Sequence, residues 1–167
     1  SRGLGDVYKR QIYQLGTSPI SEDDYMNPDN ITEGDSVGIN YADEVTQEER
    51  KTLLEELLAE LPKGMFTLNP DLSITYNGGF DEWRLSYVKL LKEKAEAITP
   101  DKAMEWTGPV YKLKKALCNP LDTDCLFIID YGTGYSMAER SIEFMRLVER
   151  LNPGDRLYAG LIADYHF

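Results

Sequence analysis

The sequence predicts a single α+β domain, with a mixed or antiparallel sheet of about five strands and helices packed mainly on one face. A chain of 167 residues, 42% of them hydrophobic, can bury one core of useful size. Short segments with alternating apolar residues are typical of half-buried strands, and longer segments repeat their apolar residues at helical spacing. The order β, acidic loop, α, β, β, α, α, α, β, α, β favours the α+β class.

The first eleven residues are treated separately from this domain. The chain begins with serine, and residues 6–11 read DVYKRQ. Back-translated, these six codons resemble the transposase mosaic-end adapter that is used to prepare sequencing libraries. We therefore expect residues 1–11 to be an adapter-derived or otherwise non-native segment and residues 12–167 to form the domain.

The domain is expected to open with a short strand and a long loop. Residues 12–15 (IYQL) read as the strand, and Gly16 ends it. Residues 17–42 are polar and rich in turn-forming residues, with no sustained periodicity. A stretch of this length indicates a functional surface loop or a partly disordered segment.

The clearest helix in the sequence begins after Thr46. Thr46 and Glu49 form a T-x-x-E capping box, in which each side chain satisfies a backbone N–H at the helix start. Pro62 ends the helix. Between Thr46 and Pro62, one apolar stripe repeats at helical spacing: Leu53, Leu54, Leu57, Leu58 and Leu61.

The middle of the chain predicts a hairpin followed by helices. Residues 65–69 and 72–76 alternate in polarity and flank an Asn-Pro-Asp turn. Residues 80–98 form a long amphipathic helix, and shorter helices are expected over 101–106 and 109–117. We expect Trp83, Tyr87, Trp106 and Tyr111 to pack in the core rather than to form a stacking platform for nucleic acid.

The last third predicts a strand, a helix and a strand. Residues 126–129 (LFII) are a candidate buried strand. Ser136 and Glu139 form a second T/S-x-x-E pattern, which predicts that a helix starts there. Residues 157–167 alternate in polarity and predict the final strand.

Charge is distributed unevenly along the chain. The formal net charge is −11, and residues 12–62 contain 13 acidic residues but only two basic ones, Arg50 and Lys51. This balance argues against direct binding to nucleic acid or to an anionic membrane. The candidate binding residues form the acidic surface, defined as Asp23, Asp24, Glu48, Glu49, Glu55, Glu56 and Glu60.

The acidic surface predicts a non-enzymatic binding protein whose partner is a basic protein surface. Carboxylates along a rigid helix can imitate the phosphates of nucleic acid and compete for the groove of a nucleic-acid-binding enzyme. Small acidic anti-restriction and anti-CRISPR proteins of mobile elements work by this logic. The other interpretation is that the charges only keep the chain in solution.

An alternative function rests on the segment after the buried strand. The string Asp130-Tyr-Gly132-Thr133-Gly134 resembles the phosphate loop of the actin and sugar-kinase superfamily, and more loosely the Asp-Thr-Gly loop of aspartic proteases. The resemblance implies a small enzyme that handles phosphate or nucleotides. Only 31 residues follow Ser136 and a capped helix is expected at once, so we favour a simple strand–turn–helix connection. An uncharacterised assembly domain is a third alternative.

The sequence suggests neither a metal nor a cofactor. His166 is the only histidine. Cys118 and Cys125 are seven positions apart and belong to neither a C-x-x-C pair nor a Cys/His cluster, so no zinc site is expected. A disulfide between the two cysteines has little support, and Cys125 is expected to be a small buried residue. The longest apolar run, residues 126–129, is too short to span a membrane. No signal peptide is visible, so a cytoplasmic location is expected. The partner and the oligomeric state stay open.

Overall fold

A computed structural model describes residues 10–33, 41–130 and 137–166. In these ranges the chain forms an α+β fold with a mixed sheet, which confirms the predicted class. The strands are β1 (Arg10–Gly16), β2 (Thr32–Glu33), β3 (Tyr41–Glu44), β4 (Phe66–Leu68), β5 (Ile74–Tyr76), β6 (Leu126–Asp130), β7 (Met137–Ala138) and β8 (Arg156–His166). The helices are α1 (Gln47–Glu60), α2 (Phe80–Glu96), α3 (Pro109–Cys118) and α4 (Ser141–Glu149).

The main sheet has six strands in the order β4-β5-β8-β1-β6, with β3 as a second neighbour of β8. Strand β8 has 11 residues, so β5 pairs with its beginning and β3 with its end. The central strand β1 runs antiparallel to β8 and parallel to β6. The carboxyl ends of β1 and β6 therefore meet at one edge of the sheet, where Gly16 is in register with Asp130.

The helices α1 and α4 cover one face of the sheet. Alternation along β1 and β6 sends Tyr13 and Phe127 to this face, where they join a cluster that includes the α1 leucines and Phe144 of α4. The Tyr13 hydroxyl also donates a 2.7 Å hydrogen bond to the carbonyl oxygen of Leu53. Helices thus pack mainly on one face, as the sequence predicts.

The opposite face is covered by the segment that follows β1. Ile12, Leu126 and Ile128 point to this side and contact Met26 and Ile31. Two 3₁₀ turns, Glu22–Asp24 and Pro28–Asn30, shape the segment. It is a structured covering over residues 17–33, while residues 34–40 lie outside the part that the structure describes.

Helices α2 and α3 pack on each other and form a helical hairpin, which we call the arm (residues 80–118). No residue of α2 is buried. Trp83 and Tyr87 are half-buried and stacked, with ring centroids 4.9 Å apart. The expectation of core packing is wrong for Trp106 and Tyr111, which are 93% and 52% exposed. Trp106 lies in the α2–α3 connection, outside the face through which the two helices contact each other.

Two helix predictions are wrong. Residues 101–106 do not form an α-helix. The structure has a single 3₁₀ turn at this place, Pro100–Lys102. The helix expected at the second capping box starts later, at Ser141, with Arg140 as an N-cap that makes no side-chain cap bond. Glu139 is extended instead, since its backbone N–H and C=O both pair with Phe127 at 2.8 Å. Ser136 lies outside the described residues.

Strand boundaries also differ from the prediction. Strand β1 begins at Arg10, two residues earlier than expected and inside the segment that resembles an adapter. Arg10 forms an ion pair with Asp124 at 3.0 Å, and the Gln11 amide donates to Asp164 at 2.9 Å. The first two residues of strand β3 fall inside the predicted loop, residues 17–42. The strand forms through its antiparallel pairing with β8, which local sequence does not reveal.

Candidate functional site: the acidic surface

Helix α1 supports most of the acidic surface. Its N-cap Thr46 and Glu49 form the predicted capping box, with the Glu49 amide donating to the Thr46 hydroxyl and the Glu49 carboxylate accepting from the Thr46 amide. Leu53, Leu54 and Leu57 are fully buried beneath the helix. Because these leucines hold one face of α1 against the sheet, the opposite face of the helix points to solvent.

The solvent face of α1 carries carboxylates along its length. Glu48, Glu55, Glu56 and Glu60 are exposed, and Glu49 is half-buried by its capping role. From Glu48 to Glu60 the helix rises about 18 Å. The helix therefore carries carboxylates near its beginning and over its second half, with the exposed Lys51 between the two groups.

The 3₁₀ turn at Glu22–Asp24 lies beside the first turn of α1. Gln47 donates a 3.4 Å hydrogen bond to the Glu22 carboxylate, and the Arg50 guanidinium lies 5.0 Å from the centre of the Tyr25 ring. Asp23 and Asp24 are exposed on this turn. Tertiary contacts therefore bring the acidic residues of this turn next to the first turn of α1.

The two basic residues of this region do not cover the carboxylates. Arg50 is 6% exposed and donates to the carbonyl oxygens of Gly160 and Ala159 at 2.7 and 3.3 Å. The Arg50 guanidinium therefore binds backbone oxygens of β8 beneath the helix and does not contact the carboxylates on its solvent face. Lys51 contacts Glu55 at 4.0 Å, and both side chains are more than half exposed. A pair of this kind holds the charges together only weakly.

The carboxylates of the acidic surface differ in their local partners. Asp24 accepts a 3.0 Å hydrogen bond from Ser21, Glu49 serves the capping box, and Glu55 is paired with Lys51. In the described ranges, the carboxylates of Asp23, Glu48 and Glu56 have no hydrogen bond or ion pair. These three are the groups freest to meet a partner.

Glu60 has a structural partner that spacing does not reveal. Its carboxylate accepts from the Thr123 hydroxyl at 2.8 Å and from the Cys125 thiol at 2.9 Å, linking the end of α1 to the start of β6. Burial, and next the hydrogen bond to Glu60, raise the pKa of the Cys125 thiol far above its ordinary value. Cys125 is thus buried as expected, but it also acts as a donor.

Three exposed acidic residues adjoin the surface although the candidate set omitted them. Glu22 lies on the same turn as Asp23, and Asp43 and Glu44 lie on β3, just before α1. The signal that could have found them is the unbroken acidic bias of residues 12–62. Glu22 is held there by Gln47, and the pairing of β3 with β8 places Asp43 and Glu44 in the main sheet just before α1 begins.

Asp130, the centre of the alternative site, lies at the carboxyl end of β6. Its carboxylate accepts a 3.0 Å hydrogen bond from the side-chain amide of Gln14, which is fully buried. The same amide donates to the carbonyl oxygen of Asp24 at 3.2 Å. Gln14 therefore links Asp130 to the acidic turn. Gly132, Thr133 and Gly134 lie outside the described residues.

Other candidate chemistry finds limited support in the described part of the chain. No group of three or more His, Cys, Asp or Glu side chains is placed there to hold a metal ion. Cys118 and Cys125 are both free thiols, so the weakly supported disulfide is not formed. Among the helices described, none has the length and apolar character needed to cross a membrane.

Comparison of the chain with known protein families, curated proteins and solved structures found no match.

Proposed function

We propose that this protein is a non-enzymatic binding protein whose acidic surface docks on a basic protein surface. In its specific form the proposal is that the surface imitates nucleic acid and blocks a nucleic-acid-binding enzyme, as anti-restriction and anti-CRISPR proteins of mobile elements do. The supporting observation is the burial of Arg50 beneath carboxylates that a capped helix holds outward. The Arg50 guanidinium could have paired with these carboxylates, but it binds the carbonyl oxygens of Gly160 and Ala159 instead.

Charge density supports imitation of a duplex. B-DNA carries one negative charge per about 1.7 Å of axis, which is about ten charges over the 18 Å of α1. The helix supplies Glu48, Glu49, Glu55, Glu56 and Glu60, and the adjoining turn supplies Glu22, Asp23 and Asp24. With the exposed Lys51, these eight carboxylates leave a formal charge of −7, which is about two thirds of the charge of the duplex they would replace.

A rigid scaffold supports tight docking as well as attraction. Long-range attraction between opposite charges raises the association rate and weakens as salt screens it. Because the leucines, the capping box and Arg50 already hold α1 and the turn in place, little ordering is needed on binding. We therefore expect complexes that form quickly and respond strongly to salt.

The alternative of a phosphate-handling enzyme has one observation in its favour. Asp130 lies where the carboxyl ends of the parallel strands β1 and β6 meet, which is a common position for ligand sites in sheets with parallel strands. Titration calorimetry with magnesium and ATP tests it. Heat that disappears in Asp130→Asn would favour the enzyme over the binding protein.

The experiment for the main proposal captures partners on the immobilised protein and then adds duplex DNA. A triple variant, Asp23→Lys, Glu48→Lys and Glu56→Lys, reverses the three carboxylates that have no partner in the described ranges. A matched control, Glu82→Lys, Glu93→Lys and Glu96→Lys, makes the same change in net charge on the exposed side of the arm. Circular dichroism of both variants verifies that they fold.

We expect the parent and the arm control to retain the same basic proteins at low salt and to release them on addition of duplex DNA or of salt. The acidic-surface variant should retain none of them. If both variants lose binding equally, net charge alone is responsible and the proposal is wrong. If duplex DNA does not displace the bound proteins, the acidic surface does not imitate nucleic acid. The more general proposal, that it binds a basic protein surface, would then still hold.

A further inference from the structure

Exposed apolar side chains are concentrated on the arm. Of the eight large apolar side chains that are exposed in the described part of the chain, all but Met137 lie between residues 85 and 117. They are Leu85, Val88, Leu90, Met104, Trp106, Tyr111 and Leu117. Apolar residues gathered on one projecting element indicate an interaction site.

One narrow stripe of α2 combines two of these residues with opposite charges. Asp81, Leu85, Val88 and Lys92 are separated by four, three and four positions, so they lie along a single side of the helix. Leu85 is 73% exposed and Val88 is 42% exposed. The Tyr87 hydroxyl binds the carbonyl oxygen of Ala116 on α3, so the stripe faces away from the intramolecular contact.

We propose that a second copy of this chain docks on the stripe, with the two α2 helices antiparallel about a two-fold axis. In this arrangement Leu85 of each copy meets Val88 of the other. Asp81, which is 80% exposed and forms a 3.0 Å ion pair with Arg84 of its own helix, also meets Lys92 of the other copy. The stripe reads negative, apolar, apolar, positive from its beginning to its end. A two-fold axis turns that order round, so opposite charges meet at the two ends of the stripe and apolar side chains meet in its middle.

The charges favour the arm of a second copy over its other surfaces. The solvent face of α1 carries carboxylates and no large exposed apolar side chain, so it cannot cover Leu85 and Val88. Residues 80–118 have eight basic and six acidic residues, although the whole chain has a net charge of −11. Contact through the arm therefore avoids bringing the two acidic regions together.

The length of the stripe sets the expected strength. From Asp81 to Lys92 the helix rises about 17 Å, and a contact of that length is smaller than a stable interface of standard size. We expect a reversible dimer whose population depends on concentration. This inference is independent of the function proposed for the acidic surface.

Sedimentation velocity of the full chain, across about a hundredfold range of concentration, measures the association. The variants are Asp81→Lys and Lys92→Asp, both at exposed positions. In a dimer of either variant, like charges would face each other at both ends of the stripe. In a one-to-one mixture, lysines of the first variant would face aspartates of the second.

We expect the parent to dimerise, each variant alone to be monomeric over the same range, and the mixture to dimerise again. Controls of equal charge change, Glu105→Lys and Lys112→Asp, lie outside α2 at exposed positions and should dimerise like the parent. If the parent stays monomeric at every concentration, the proposal is wrong, and the exposed residues of the arm would have to bind a different protein. Dimerisation of both single variants, or none in the mixture, overturns the antiparallel pairing.

Discussion

Arg50 donates a 2.7 Å hydrogen bond to the carbonyl oxygen of Gly160, a residue 110 positions away in the chain. This bond joins α1 to the central region of β8 from beneath the helix. It also removes the guanidinium from the solvent face that the glutamates occupy. A single contact therefore stabilises the fold and leaves the acidic surface negative.

Replacing Arg50 by methionine should destabilise the protein by about 2–3 kcal/mol, because two backbone oxygens lose their donor in a buried position. The free energy of unfolding in urea measures the loss. Lys51→Met is the control, since Lys51 is exposed, and it should change stability by less than about 0.5 kcal/mol. Equal effects of the two substitutions would show that the contact with Gly160 is unimportant.

The capping box of α1 makes a separate prediction. Thr46→Ala should cost about 1 kcal/mol, because the Glu49 amide loses its acceptor at the start of the helix. Glu49→Gln should cost less, since glutamine can also accept from the Thr46 amide. Thermal unfolding followed by circular dichroism compares them. A larger loss in the glutamine variant would mean that the charge of Glu49, not its bond, stabilises the helix.

Cys125 predicts a dependence of stability on pH. Its pKa is raised in the folded protein by burial and by the hydrogen bond to Glu60, whereas the unfolded chain has a thiol pKa near 8.5. Above that pH the unfolded state loses the proton first, so stability falls as pH rises. At about pH 9.5 the loss should be about 1.4 kcal/mol relative to pH 7.

The variant Cys125→Ala should remove this part of the pH dependence, and Cys118→Ala should keep it. Urea titrations at the two pH values provide the measurement. Labelling with iodoacetamide gives an independent check, because half-buried Cys118 should react much faster than buried Cys125. Equal labelling rates would contradict the burial of the Cys125 thiol.

Gly160 makes a prediction about the contact between β8 and Gln14. A Cβ atom at Gly160 would lie 2.4 Å from the Gln14 side-chain oxygen, which accepts from the amides of Met26 and Leu161. Gly160→Ala should therefore cost about 1–3 kcal/mol through overpacking. Hydrogen exchange should also rise at Met26 as the segment after β1 loosens.

Gly16→Ala is the matched comparison at the neighbouring edge. Its added Cβ would lie 3.1 Å from the carbonyl oxygen of Asp130, which is a milder conflict. We expect a smaller loss of stability than in Gly160→Ala. The reverse order would show that the Gln14 amide can move aside at little cost.

Local sequence determined the features whose causes are local. The capping box and the leucine stripe predict α1 because the groups that stabilise a helix end and bury a helix face lie within one or two turns of each other. Alternation in the same way predicts the hairpin that became β4 and β5 and the long final strand. The uneven charge is likewise a property of composition, so the acidic region needed no structure to be found.

Tertiary structure alone decided which of these features meet. The pairing of Phe127 with Glu139 overrode the second capping pattern, since a backbone group bonded across a sheet cannot also begin a helix. The burial of Arg50, the engagement of Glu60 by Cys125 and the position of the acidic turn beside α1 all depend on residues far apart in the chain. Such contacts form only when the long loops between these residues close. The spacing of residues along the sequence therefore does not show which of them will meet.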